Sequence, residues 1–297
     1  MRNKIQSKNI LQFAKNTPLI EVNGIYAKLE TYNPTGSVKD RMAFHVIKKA
    51  EQRGELNKGD EIIEITSGNT GIALAMASAI KGYKFTAIMP KSMSLARRKM
   101  MKVFGANIIL TPAEEDMEGA LKKYQQVIQE KISKKKKIWL PKQFENQDNI
   151  NAHYFGLGKE IINQTEGKVD AFVAGAGTGG TIIGVAKALK EVNPKTKIYV
   201  VEPEESAVLS GNKQGLHKIQ GIGEGFIPKI LKDNLNLVDE IITIKSKDSI
   251  KASEHLAKKR GILVGISSGA NYLAAQKLKK KYENVVTIFA DRGERYL

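Results

Sequence analysis

Residues 169–203 read VDAFVAGAGTGGTIIGVAKALKEVNPKTKIYVVEP, and the order of residue types in this stretch decides the fold. Ala171 to Ala174 is a short apolar run, the pattern of a buried strand. Gly175-Ala176-Gly177-Thr178-Gly179-Gly180-Thr181 is a glycine-rich turn. Thr181 to Val192 carries the helical period, and Ile198 to Val201 is a second apolar run. Strand, tight turn, helix and strand in that order make a parallel unit with a helix packed on the sheet. Backbone N–H groups of such a turn can cradle a phosphate, and the helix N-terminus favours its charge. The same residues satisfy G-x-G-x-x-G through Gly175, Gly177 and Gly180, and Glu202 ends the next strand where a dinucleotide site would place a ribose-binding acid. A nicotinamide or flavin site therefore stays open on this turn alone.

The rhythm extends outward in both directions. Glu61 to Ile65, Phe85 to Met89, Asn107 to Leu110 and Val285 to Phe289 read as strands. Gly71 to Ile80, Ser94 to Phe104, Ala113 to Ile132, Ser249 to Arg260 and Ala270 to Tyr282 read as helices, with Gly105 as a C-terminal stop. No repeat of ~20–50 residues interrupts the alternation. The expectation is an α/β protein of two lobes, with mostly parallel sheets covered by helices and ligands at strand ends facing a cleft.

The composition narrows the chemistry. The chain has 297 residues, 41% hydrophobic and 27% charged, ordinary for a globular protein. No apolar run approaches the ~20 residues of a membrane span. The first sixteen residues, MRNKIQSKNILQFAKN, lack the apolar core of an export signal, so a cytoplasmic protein is expected. There is no cysteine, which removes disulfides, thiolate metal sites and a cysteine nucleophile. His45, His153, His217 and His255 show no paired ligand spacing, and no metal is expected. The net charge of +17 raises the question of nucleic acid. Lys134 to Lys137 read instead as a solvated helix end, and no nucleic-acid or membrane partner is expected. The charge can still attract anionic substrates or a phosphorylated cofactor.

Two further turns carry chemistry. Thr66-Ser67-Gly68-Asn69-Thr70-Gly71 lies between a strand and a helix, rich in hydroxyls and amides and free of charge, a setting suited to a carboxylate. Asn33-Pro34-Thr35-Gly36-Ser37-Val38-Lys39-Asp40-Arg41 precedes another helix. Lys39 just before a helix start would feel the positive helix end, which lowers its pKa and favours the free amine that a Schiff base needs. Asp40 can cap that helix.

Together with MSLARRKMMKVFGA, QFENQDN, VEPEES, HKIQGIGEGF, GISSGA and GERYL, these turns resemble the cysteine synthase (O-acetylserine sulfhydrylase) and cystathionine β-synthase family of fold type II pyridoxal-phosphate enzymes, related in fold to the tryptophan synthase β subunit. The resemblance runs along nearly the whole chain. It implies pyridoxal 5'-phosphate as cofactor, with Lys39 as its Schiff-base lysine and the base that moves the α-proton. It implies that Asn69 bonds the cofactor's 3′ oxygen. Gly177, Thr178, Gly179, Gly180 and Thr181 match the phosphate cradle, and Ser267 the hydroxyl beside the ring nitrogen. Thr66, Ser67, Gly68 and Thr70 match the loop that grips the substrate α-carboxylate, with Gln143 as a second contact. Gly223 borders the substrate side chain. The implied large domain is 1–40 with 146–297, the small mobile domain 41–145, and the implied assembly a homodimer. The implied reaction is β-replacement on an amino acid through an aminoacrylate, with O-acetylserine and sulfide giving cysteine.

One departure matters. Glu224 fills the fourth position of GIGxGF, where a small residue is common in cysteine synthases. A carboxylate there could act on the leaving group or incoming nucleophile, or favour a polar second substrate. It could also turn to solvent or pair with a lysine. The functional reading points to a cysteine-consuming β-replacement or lyase that releases hydrogen sulfide. Gln147 stands where proline is common, and relatives usually continue past GERYL. Rival readings are a serine or threonine dehydratase, whose loops usually read differently, and a nicotinamide oxidoreductase, which gives Lys39 and TSGNTG no purpose. A non-catalytic paralogue is disfavoured by the filled cofactor positions.

Overall fold

The computed structural model describes residues 9–297. Met1 to Lys8, part of the segment read for an export signal, lie outside the described residues. In chain order the elements are strands β1 (Leu19–Val22) and β2 (Ile25–Leu29), helix α1 (Lys39–Gln52), β3 (Glu61–Ile65), α2 (Asn69–Lys81), β4 (Lys84–Pro90), α3 (Leu95–Val103), β5 (Asn107–Thr111), α4 (Asp116–Ser133), β6 (Ile138–Trp139) and α5 (Gln147–Ala152). A π-helical turn (His153–Gly158) runs into α6 (Lys159–Gln164). Then come β7 (Ala171–Gly175), α7 (Gly180–Val192), β8 (Lys197–Pro203), α8 (Lys229–Lys232), β9 (Glu240–Ile244), α9 (Ser246–Arg260), α10 (Ile266–Lys279) and β10 (Val285–Phe289). The expected strands and helices form with ends shifted by a few residues.

The chain divides into two compact units, Met42–Asn149 and the remainder, Met1–Arg41 with Ile150–Leu297. The larger holds a six-stranded sheet in the order β1-β2-β10-β7-β8-β9. All its pairings are parallel except the β1–β2 hairpin. Side chains alternate across a strand, so a sheet covered on both faces needs apolar residues at every position. β7 shows this. Ala171 and Val173 pack with Leu256, Ala270, Ala274 and Leu278 of α9 and α10. Phe172 and Ala174 pack with Ile182, Val185 and Leu189 of α7. The smaller unit holds a parallel four-stranded sheet, β5-β4-β3-β6, where Ile63 and Ile88 meet Ala120 and Val127 of α4.

The β1–β2 hairpin escaped the reading above. Its signal is Asn23-Gly24, both with positive φ (51° and 77°), the dipeptide that favours a type I′ turn between alternating strands. Lys134 to Lys137 are exposed after the end of α4, as the sequence suggests. None of the described helices is long and apolar enough to cross a membrane. No group of three His, Asp or Glu residues suited to a metal ion occurs among the described residues.

Candidate active site

The chain reaches Lys39 through a turn stitched to the C-terminal segment. Gly36 at φ +80° donates to Asn33 O at 2.7 Å. Val38 N donates to Ala290 O at 2.9 Å, and Arg292 N to Gly36 O at 3.1 Å. Ser37 bridges to Asp291. Lys39 is the first residue of α1 rather than the residue before it. Asp40 does not cap α1 with its side chain. Its carboxylate turns back to accept from Thr35 N at 2.6 Å and from the Thr35 hydroxyl, and burial pushes its pKa up to about 6. Arg41 is locked into a buried ion cluster. It donates to Glu30 at 2.6 and 2.9 Å and to Glu160 at 2.7 and 2.8 Å, while Lys28 pairs with Glu160 at 2.8 Å. Lys39 thus leaves a backbone held on both sides.

The Lys39 amine has a pKa below the ordinary lysine value, the direction expected from the sequence. Burial is the dominant cause, opposed by the carboxylates of Glu224 and Asp291, so the helix end is not needed to explain it. A lowered pKa makes the free amine available nearer neutrality.

β7 delivers the glycine-rich turn to the N-terminus of α7. Gly175 N donates to Asn271 Oδ1 at 2.8 Å, a side chain of α10 that braces the turn. A Cβ on Gly177 would lie 2.5 Å from Gly221 O, so backbone packs against backbone there. Gly179 holds φ +87° as the residue before α7, a conformation in which side chains are strained. Gly180 N donates to Thr178 Oγ1 at 3.3 Å. The Thr181 hydroxyl lies 3.3 Å from Nε2 of His153, which the π-helical turn presents. His153 was invisible as a site residue in the sequence because only the fold sets it 28 positions away against the cradle. Ser267 is buried in the first turn of α10, and the neighbouring Ser268 accepts from Ala290 N at 3.0 Å.

The loop holding Glu224 lies beside this cradle. Gly221, Gly223 and Gly225 all have positive φ. Gly223 N donates to Ala176 O at 3.1 Å. Ile219 N donates to His217 Nδ1 at 3.2 Å, which leaves Nε2–H to donate to Gly223 O at 2.9 Å. Glu224 Oε1 stands 3.4 Å from where a Gly177 Cβ would be. Glu224 is open to solvent over much of its length, yet protein packed around the carboxyl pushes its pKa up, with Lys39 and then His217 pulling it back. The solvent reading of Glu224 is therefore incomplete: its carboxylate also shares a field with Lys39. By contrast Glu202, the acid of the dinucleotide alternative, accepts from Leu209 N and Ser210 N at 2.9 Å and from the Ser210 hydroxyl. Its oxygens are committed to the loop that follows it.

The smaller unit carries the second cluster. Thr66 Oγ1 accepts from Gly71 N at 3.0 Å, closing the turn at the start of α2. Thr70 Oγ1 donates to Gln143 Oε1 at 2.8 Å. Using the amide oxygen in this bond leaves the Gln143 amide hydrogens as donors for a carboxylate. Thr66, Thr70 and Gln143 are buried, whereas Ser67, Gly68 and Asn69 are partly exposed.

These residues fit a phosphorylated aldehyde cofactor. A glycine-lined helix start meets the needs of a phosphate, and a half-buried amine of lowered pKa meets those of an aldehyde carbon. Gly177, Thr178, Gly179, Gly180 and Thr181 would take the phosphate, Lys39 the aldehyde and Ser267 the ring nitrogen. Gly177→Ala is expected to weaken cofactor binding by at least about tenfold, because the Gly221 carbonyl that meets the added methyl is backbone and resists moving aside. Titrating the apoprotein with cofactor by absorbance checks this.

The comparisons agree with the geometry. The family described as pyridoxal-phosphate dependent enzyme matches residues 10–291. A cysteine synthase of Staphylococcus aureus is 46% identical over 97% of this chain and 95% of its own. The crystal structure of cysteine synthase from Entamoeba histolytica superposes with a TM-score of 0.93 at 44% identity, covering 100% of this chain and 90% of that one. A hydrogen sulfide-producing enzyme from Fusobacterium nucleatum superposes with a TM-score of 0.92 at 40% identity, covering 98% of both chains. A glycine-lined cradle, a half-buried lysine of lowered pKa and a family match along almost the whole described chain lead to one conclusion: this chain belongs to the pyridoxal-phosphate-dependent enzymes.

Proposed function

We propose that the protein is a cysteine synthase-like β-replacement enzyme that converts O-acetylserine and sulfide to cysteine. One observation carries the chemistry: the half-buried Lys39 shares a field with Glu224, whose carboxylate lies against Gly177 of the cradle. When bound, pyridoxal phosphate supplies the electron sink for loss of the α-proton and the β-substituent. Lys39 Nζ takes the proton from the substrate α-carbon and returns it, which its lowered pKa favours. Thr66, Ser67, Gly68, Thr70 and Gln143 hold the α-carboxylate with neutral donors at the start of α2. Asn69 and Ser267 orient the cofactor, and the neutral Ser267 hydroxyl leaves the ring nitrogen without a forced proton. The larger unit is the cofactor-binding domain and the smaller one the mobile domain. The relatives named above support this reading, as does the uncharged Thr66–Gly71 turn. Purified protein incubated with cofactor should absorb near ~410–430 nm, because the cofactor brings its own chromophore. It should form cysteine from O-acetylserine and sulfide. Colourless, inactive protein would overturn the proposal. A homodimer in the cytoplasm is proposed on the family resemblance, with light scattering as the check on assembly.

Glu224 favours a second reading, in which cysteine is consumed and hydrogen sulfide released. A carboxylate with a raised pKa beside Lys39 can pass a proton to a departing thiolate or take one from an incoming nucleophile. Glu224→Ala is then expected to lower sulfide release from cysteine by ~10²-fold, as for a lost acid–base group, and cysteine formation much less. Parallel assays with both donors check this. Equal losses on the two would remove Glu224 from donor selection.

A further inference from the structure

Glu64 is a buried carboxylate that the reaction as proposed leaves unused. It lies on β3, two residues before Thr66, and is 4% exposed. Its oxygens accept from two successive main-chain amides, Lys142 N at 3.2 Å and Gln143 N at 3.3 Å. The clamp acts where it is needed, since Lys142 holds φ +51°, a left-handed backbone that lysine adopts at a cost. Gln143 in turn accepts from the Thr70 hydroxyl through its side chain, and from Asn149 Nδ2 at 2.8 Å through its carbonyl. One carboxylate therefore fixes the turn from which Gln143 reaches Thr70.

We propose that Glu64 is a positioning residue that sets the Gln143–Thr70 pair for the substrate α-carboxylate, so that amino-acid binding weakens when Glu64 takes up a proton. This rests on the reading of Thr70 and Gln143 as carboxylate contacts. An ionised carboxylate accepts from both amides. The protonated acid keeps one acceptor and turns a hydroxyl, itself a donor, against the other N–H. Burial pushes Glu64 up to about 7, with the Gln143 and Lys142 amides pulling it back, so the change falls near neutrality. The titratable groups around it are Tyr124 of α4, whose phenol is pushed up by burial, then by Glu64 and Glu145, and Lys142 in the clamped turn itself.

Glu64→Gln in the holoenzyme tests this, because the amide keeps the shape and mimics the protonated acid. L-alanine has no β leaving group, so its dissociation constant reads carboxylate binding apart from turnover. At about pH 8 that constant should rise about fivefold in the variant, the effect of one net hydrogen bond. The variant-to-wild-type ratio should fall towards one by about pH 6, as the wild-type carboxyl protonates. The rate at saturating O-acetylserine should stay within about twofold, since binding and not the chemical step is affected. Hydrogen exchange at the Lys142 and Gln143 amides should quicken in the variant near pH 8. Thermal stability checks the raised pKa by itself. A carboxyl whose folded pKa is raised destabilises the fold as pH climbs above its unfolded value, fully so above about 7. Glu64→Gln should therefore melt no lower than wild type near pH 8. A ratio of one at every pH, or unchanged amide exchange, overturns the proposal. Gln143→Ala separates the two readings. If it leaves L-alanine binding intact, the carboxylate assignment fails; if it weakens binding while Glu64→Gln does not, Glu64 alone is wrong. Should Glu64→Gln fold poorly, wild-type exchange at those two amides across the same pH range, corrected for intrinsic rates, decides the matter.

Discussion

Lys39→Met is expected to lower cysteine formation by at least about 10³-fold and to abolish the absorbance near ~410–430 nm, because the base and the covalent anchor of the cofactor are lost together. Methionine keeps an unbranched side chain one atom shorter than that of lysine and lacks the amine. The fold should survive. Burial lowers the Lys39 pKa, so the protonated amine is less favourable in the folded chain than in the unfolded one. Its contribution to stability therefore rises with pH through the lowered pKa and is at its worst below it. Without cofactor, the variant should accordingly melt no lower than wild type near neutral pH. Cysteine formation, the visible spectrum and a melting curve check the three statements. Residual activity within about tenfold of wild type would place the proton transfer on another group.

Arg41→Met is expected to destabilise the larger unit by ~3–5 kcal/mol, a large share of the ~5–15 kcal/mol that holds a typical domain together. Arg41 is buried, and its guanidinium meets Glu30 and Glu160 in two-pronged contacts. Removing it strands two carboxylates. Lys28 still pairs with Glu160, but Glu30 is left with the Thr17 hydroxyl and the Asn33 amide. The pH dependence gives a second check. Burial alone would raise the Glu160 pKa, but Arg41 and Lys28 hold it down to about 2. A depressed carboxyl stabilises the fold above its unfolded pKa and loses that contribution as pH falls through the folded value. The wild-type advantage should thus be full above about pH 5 and shrink towards about pH 2. Urea denaturation at several pH values reads this. A constant difference would mean that Arg41 acts through packing and not charge. Because Lys39 is two residues away on the same turn of α1, lost cofactor affinity should accompany the lost stability.

Some of the site was written locally and some was not. The glycine cradle was legible because a strand, a tight turn and a helix are neighbours in sequence, and glycine is the residue that a close backbone approach needs at Gly177. Asn23-Gly24 was equally local, and its hairpin could have been read from the turn alone. The position of β10 between β2 and β7 has no local signature. Tyr26 pairs with Val286 across the length of the chain, and a buried apolar strand carries no mark of its partner.

The residues around Lys39 show the same division. The sequence by itself determined a parallel α/β chain with a glycine-rich turn before one helix and a lysine at the start of another, because turn geometry and side-chain period are encoded within a few residues. Only the tertiary structure decided that Asp291 and Glu224 share the field of that lysine, that His153 meets Thr181, and that Glu64 clamps the turn carrying Gln143. Each of these joins residues far apart in sequence. Their effect comes from burial, which strengthens charge and hydrogen bonding and which no local pattern of residues specifies.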